Sequence, residues 1–244
     1  MENPSFVALS GQMALRHQMD ILANNIANMN TVGYKAERLV FTEMVENVPD
    51  QSVDDMGPMS FVQPYASYVD FSAGTLTPTG NPLDVGINGE GLFAVQTADG
   101  VAYTRNGRFG LDPNGTLVTS NGMPVLGSGG GPIQIADASA ISIAGDGTIS
   151  TPDGVVARLQ VVRFEDPMTM DRAGNGLYTA TTAQPVPVTS PQVAQGTVEE
   201  SNVSPILEMS TMIEVSRAYQ MLAQALDNEH QRQQKAITTL AKSA

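Results

Sequence analysis

The side chains that ordinarily carry out chemistry are few in this chain, and they are badly placed for it. Its two histidines, His17 and His230, fall in terminal stretches that read as helices, and cysteine is absent. Thiolate nucleophiles, disulfides and thiolate metal sites are therefore excluded. The only lysines, Lys35, Lys235 and Lys242, lie outside the central stretch that reads as β structure, so Schiff-base chemistry there is excluded as well. What remains is carboxylate: Asp84, Glu90, Asp99, Asp112, Asp146, Asp153, Glu165 and Asp166. These could supply a paired acid and base, but most stand in turns, where aspartate is favoured for backbone reasons alone. No EF-hand spacing occurs, and the glycosylation-type triplets Asn114-Gly-Thr and Asn202-Val-Ser carry little weight without a secretory context. Tryptophan is absent and aromatic residues make up 5%, which weakens a sugar-binding reading. The expectation is a protein with no catalytic residues, no cofactor and no metal, whose business is structural assembly.

Charge narrows the partners. A net charge of −13 over 244 residues argues against nucleic acid, because a polyanion needs lysine and arginine to displace its counterions. Anionic membrane surfaces are disfavoured for the same reason. No uninterrupted apolar stretch is long enough to span a bilayer, and Met1-Glu-Asn-Pro-Ser lacks the basic, apolar and small-residue regions of a secretory signal. The expectation is a soluble protein that leaves the cytoplasm, if at all, by a route without signal cleavage.

The elements that must position any working surface lie at the two ends. A first helix is predicted from near Pro4 to the region of Met29 and Gly33, with Leu15, Met19, Leu22, Ile26 and Met29 alternating at four and three residues. A last helix, capped by Ser204 with Pro205 at its first position and Glu208 well placed in its first turn, is predicted to run to about Lys242. Its seam is Met212, Val215, Tyr219, Leu222 and Leu226. Two such narrow seams are expected to pack on each other. Phe6, Leu9 and Met13 in the first helix, and Ile206, Met209 and Ile213 in the last, lie off the seams and are candidates for contacts between subunits. Asn24, Asn25 and Asn28 form a polar face, either solvated or hydrogen-bonded to neighbouring subunits. At roughly 38 residues against 26, or ~57 Å against ~39 Å, the last helix outruns the first, so part of it must project or touch another molecule.

Between the helices the chain is punctuated by Asn-Gly and Asp-Gly steps at Asn88, Asp99, Asn106, Asn114, Asn121, Asp146 and Asp153, with runs rich in Val, Ile and Thr between them. Such pairs accept the positive φ angles of tight hairpins. The fold class is α+β: terminal helices paired as a coiled-coil-like bundle, with a central antiparallel β-rich domain. The expected organisation is an N-terminal helix over 1–35, an extended linker over 36–83, a β domain over 84–182, an extended return over 183–203 and a C-terminal helix over 204–244. Within the linker, 36–46 reads as helix running into extended chain, 48–60 as a loop, and 61–71 as extended. Gly127-Ser-Gly-Gly-Gly-Pro132 reads as a flexible turn, since a phosphate loop needs a following helix and a lysine.

Several blocks, in order along nearly the whole chain, carry a family resemblance. They are Leu22-Ala-Asn-Asn-Ile-Ala-Asn-Met-Asn-Thr-Val-Gly-Tyr-Lys, Asp70-Phe-Ser-Ala-Gly-Thr-Leu, Gly80-Asn-Pro-Leu-Asp-Val-Gly-Ile-Asn-Gly-Glu-Gly-Leu-Phe-Ala-Val and Tyr103-Thr-Arg-Asn-Gly-Arg-Phe, followed by Gly115-Thr-Leu-Val-Thr-Ser-Asn-Gly, Glu200-Ser-Asn-Val and Glu208-Met-Ser-Thr-Met-Ile-Glu-Val-Ser-Arg-Ala-Tyr. With these the chain resembles the flagellar basal-body rod and hook proteins, and Gln220 and Met221 set it nearer the proximal rod members than the distal one. The resemblance implies a non-enzymatic subunit of the periplasm-spanning rod, exported unfolded through the flagellar type III apparatus. It also implies terminal helices lining the inner wall, a β domain facing outward, and other copies and other rod proteins as neighbours. Two readings from other classes compete with it: a β-domain adhesin-like ligand binder and a carboxylate-dependent hydrolase.

Overall fold

The structure is a computed structural model that describes residues 3–46, 59–136, 140–166, 169–180 and 183–243. The expected loop over 48–60 lies almost wholly outside the described residues. Two helices bracket a series of strands, and the strand pairings from Leu76 onward are antiparallel. The chain divides into two compact units. One consists of Met1–Ile26, Glu37–Ser67 and Ser204–Ala244, the other of Ala27–Ala36 and Tyr68–Val203.

The first unit holds helix α1 (Asn3–Ala27), most of a two-stranded ribbon of β1 (Glu37–Glu46) and β2 (Met59–Val69), and helix α2 (Pro205–Ser243). Proline opens α2 where its missing N–H is harmless, and the Ser204 carbonyl accepts from the Glu208 amide at 3.0 Å, as a capping residue does. The segment 37–46 is strand, not helix. Arg38-Leu-Val-Phe-Thr is rich in β-branched and aromatic residues, and its partner β2 follows later in the chain; that pairing overrides a weak helical pattern.

The second unit is the β domain. Its main sheet has six strands in the order β13-β14-β6-β5-β12-β15, that is Met170–Gly174, Leu177–Ala180, Gly100–Thr104, Leu92–Thr97, Val161–Arg163 and Val186–Pro187. Beside it lie the three-stranded sheet β11-β10-β9 (Gly154–Arg158, Thr148–Thr151, Ser142–Ile143) and three two-stranded pairs. The two-residue loops of the β5–β6 and β10–β11 hairpins are Ala98-Asp99 and Pro152-Asp153, and the glycine of each Asp-Gly step opens the following strand with φ +129° and +133°. Gly127 to Pro132 is a turn, with the Gly127 amide donating to the Gly131 carbonyl at 2.9 Å. The return segment is more than a path. Its β16 (Val193–Gln195) pairs with β4 (Val85–Ile87), and β17 (Thr197–Glu199) pairs with β3 (Leu76–Pro78). The core gathers Val85, Ile87, Phe93, Val95, Leu117, Val125, Ile149 and Val161, all nearly inaccessible to solvent.

Candidate assembly interface

In the first unit the buried stripe of α1 is Ala14, Ile21, Leu22 and Asn25, while Leu15, Met19 and Ile26 are half-buried. On α2, Val215 is buried and Met212, Tyr219, Leu222 and Leu226 are half-buried. The helices meet at two described points. A Cβ placed on Gly11 would stand 3.3 Å from Leu222 Cδ2, so the missing side chain admits the leucine. Fourteen residues further along α1, Asn25 Nδ2 donates to Glu208 Oε2 at 3.3 Å.

The off-seam residues of the sequence reading are open to solvent. Leu9 is 47% exposed, Met13 65%, Ile206 79%, Met209 49% and Ile213 53%. Two more, Leu207 and Met221, join them on α2. Phe6 lies on α1, but its side chain falls outside those described. Asn24 is exposed and donates to the Asp20 carbonyl at 3.1 Å. Asn28 and Met29 are absorbed by the second unit. The Thr31 hydroxyl donates to Asn28 Oδ1 at 3.2 Å, and Met29 packs on Tyr34, Ala36 and Val203. Asn25 is fully buried within the chain. Its amide nitrogen donates to the Glu37 carbonyl and its oxygen accepts from the Glu37 amide, both at 3.0 Å. Glu208, expected to act on the helix dipole, is 1% exposed and also receives Arg38 Nη1 at 2.8 Å.

The second unit is closed by a knot of charge that sequence reasoning missed. Glu199, at the end of β17, accepts Lys35 Nζ on Oε1 at 2.6 Å and Arg105 Nε on Oε2, and Oε1 also takes the Gly74 amide at 2.7 Å. All three charged residues are nearly inaccessible. Lys35 donates further to the Ser72 carbonyl, and Arg105 to the carbonyls of Ile87, Gly89 and Gly91. Burial pushes the Lys35 amine below the usual lysine range, against the opposing pull of Glu199. Such a group persists only where partners satisfy it. Asn202 adds a clasp, accepting the Ala36 amide at 2.7 Å and donating to the Asp70 carbonyl at 2.8 Å. Gly33 sits with φ +69° and with its α-carbon so close to the Arg105–Asn106 backbone that no Cβ would fit. Residues of five of the ordered sequence blocks thus meet in one structural knot.

A cavity of about 500 Å³ opens beside the knot, walled by Lys35, Arg105, Phe71, Leu92, Phe164 and Met170, but both cations are committed to Glu199 and to carbonyls. Glu90 and Glu165 also line this cavity, while three of the turn carboxylates are engaged elsewhere. Asp84 receives the Thr79 hydroxyl at 2.7 Å and the Asn81 amide at 3.0 Å. Asp112 and Asp146 are held below the ordinary carboxylate range, chiefly by the backbone amides of Thr116 and Thr148 respectively. Among the described residues no cluster of three or more His, Asp or Glu could hold a metal ion, and no helix is long and apolar enough to cross a membrane.

Comparison with known proteins gives three family matches along the chain. Residues 7–35 match the model described as "Flagella basal body rod protein", residues 86–151 "Flagellar hook protein FlgE/F/G D1 domain", and residues 194–239 "Flagellar basal body rod FlgEFG protein C-terminal". The flagellar basal-body rod protein FlgF of Caulobacter vibrioides is 42% identical over 99% of both chains, and the FlgF of Mesorhizobium japonicum 39% identical over 98% of both. The rod protein FlgG of Bacillus subtilis is 34% identical over 88% of this chain and 90% of its own. With helices, β domain and return strands all covered, the chain belongs to the flagellar basal-body rod protein family.

Proposed function

We propose that the chain is a structural subunit of the bacterial flagellar basal-body rod that polymerises through its terminal helices, paired as an antiparallel coiled-coil-like bundle, into the axial shaft that transmits torque. Membership of the family carries the first part: the protein is a rod component of the flagellum. The observation that supports the second is the exposed apolar surface of α1 and α2. Leu9, Met13, Ile206, Met209 and Ile213 face solvent, and covering the part each still exposes would contribute on the order of 1–2 kcal/mol. A chain that repeats such a surface head to tail builds an open helical assembly when the rotation does not close. The partners are other copies and other rod proteins, and the type III export apparatus delivers the chain. Identity favours a FlgF-like, proximal place: FlgF relatives stand at 36–42% over essentially the whole chain, FlgG relatives at 32–34% over 88–94% of it.

The β unit contributes bulk and rigidity, and no catalysis is assigned to it. The test is a chain carrying Ile206→Asp and Ile213→Asp, supplied to a flagellated bacterium in place of its own copy. The expected outcome is an exported, folded protein absent from isolated basal bodies, with motility lost. Normal incorporation of that variant would overturn the assignment of the surface.

A further inference from the structure

The β unit begins and ends at one place. Lys35 and Glu199 are 164 positions apart in the chain, yet the Gly33 amide donates to the Glu199 carbonyl at 2.7 Å and the Ala36 amide to Asn202 Oδ1 at 2.7 Å. Since α1 ends at Ala27 and α2 opens at Pro205, the segments 27–36 and 199–203 are the roots from which the two terminal arms leave. The first root does not share the main core. Tyr34, Ala36 and Val203, with Met29 against them, form an apolar cluster of their own, separate from those built around Phe93 and Tyr178. That is a small apolar gain against the entropy of ordering the whole segment, so polar contacts must hold it.

Those contacts centre on Lys35. Its Nζ donates to Glu199 Oε1 at 2.6 Å and to the Ser72 carbonyl, and its own carbonyl accepts from Arg172 Nη2 at 2.6 Å, with the Arg172 guanidinium 4.5 Å from the centre of the Tyr34 ring. Without the segment the knot is still matched. Arg105 keeps Glu199 Oε2 and the carbonyls of Ile87, Gly89 and Gly91, and Glu199 keeps the Gly74 amide. The socket therefore belongs to the strands and turns of the unit, and Lys35 is the piece that the segment brings to it.

We propose that Lys35 is a pin that docks the root of the N-terminal arm onto the β unit beside the root of the C-terminal arm, forming a clamp that does not depend on the helices being formed. Two arms held at one point meet at high effective concentration when they order, without a search over the length of the chain between them. Lys35, Glu199 and Asn202 are thereby positioning residues for the assembly surface. That role rests on the rod-subunit reading above; the clamp itself does not.

The chain has three lysines, of which Lys235 is exposed on α2 and serves as the reference. Acetylation of the dilute full-length protein with acetic anhydride, read by peptide mass spectrometry, is expected to modify Lys35 at least about tenfold more slowly than Lys235. Burial lowers the pKa of Lys35, which by itself would speed acylation, so a slow reaction reports the docked pin. Glu199→Gln keeps the shape of the socket but sets an amide donor against one of its cations, and should speed Lys35 by about tenfold while β5 and β6 amides stay protected from exchange. Asn202→Ala, which frees Ala36 and Asp70 without changing any charge, should also speed Lys35 and replaces the glutamine variant if that one does not fold. A wild-type Lys35 as reactive as Lys235 overturns the clamp, as does an unchanged slow Lys35 in Glu199→Gln, or in Asn202→Ala where the former is unfolded. Basal-body incorporation is read separately: a freed Lys35 with normal incorporation would contradict the positioning role and leave the clamp standing, whereas absence of the wild-type chain from basal bodies would contradict the rod-subunit reading instead.

Discussion

The two units of this chain treat apolar side chains in opposite ways. The β unit draws Phe93, Val95, Val125 and Ile149 into a core from which solvent is excluded, and it buries even its charges, Lys35, Arg105 and Glu199, among partners. The helical unit leaves Met13, Ile206, Leu207 and Met221 each about two-thirds exposed or more. Both units consist of the same kinds of residue in the same solvent. The difference teaches that the β unit closes a core and leaves only Val101, Val155 and Val156 as large apolar side chains in the open among its described residues, whereas the helical unit carries surface whose burial must come from other molecules. Ile206, Leu207, Met209 and Ile213 fall within about two turns of α2, and exposed apolar surface concentrated in this way marks interaction sites.

The comparison can be broken or sharpened by substitution, beginning where the effect on folding is largest. Glu199→Leu strips Lys35 and Arg105 of their shared counter-charge, and about 3–5 kcal/mol should be lost from the β unit, read as a lowered denaturant midpoint. Gly33→Ala should cost a comparable amount, since the site demands a positive φ and the added methyl would meet the Arg105–Asn106 backbone. On the helical side, Gly11→Leu is expected to drive α1 and α2 apart near Leu222 and to cost about 1–3 kcal/mol, with the β unit's own transition unmoved.

Acid gives a smaller effect. Asp112 and Asp146 have folded pKa values depressed below the ordinary 3.8, by backbone amides first. Their stabilisation is therefore complete above that value and declines as pH falls through the folded pKa. Asp112→Asn should flatten the acid limb of the β unit's stability and leave the neutral plateau almost unchanged, as a pH series of thermal melts would record. Smallest for folding is Ile206→Asp, within about 0.5 kcal/mol, because the side chain is already in water. Its effect on assembly should be the greatest of all.

Much of this architecture is legible locally. Pro205 after Ser204 marks where α2 begins, Gly33 marks the end of the α1 region, and the Asp-Gly steps at Asp99 and Asp153 mark hairpins, because caps and turns are set by a few adjacent residues. The exposed positions Leu9, Met13, Ile206 and Ile213 were also readable, as apolar residues off a seam. The hydrophobic period of α1 departs from the stripe that is buried, since Gly11, Ala14 and Asn25 are not apolar bulk and such a period passes over them. Strand β1 escapes a local reading because its identity depends on pairing with β2. The Glu199 knot joins residues 94 and 164 positions apart, and no local pattern records such a meeting. Its one trace was that its members fall in or beside the ordered blocks of the family resemblance.

The most direct measurement is hydrogen exchange on the dilute chain and on the same chain within isolated basal bodies. The account predicts that amides of α1 and α2 gain protection on assembly by tenfold or more, while those of β5, β6, β12 and β14 stay as they were. Unchanged helices together with newly protected β strands would contradict it, and would move the assembly surface to the β unit.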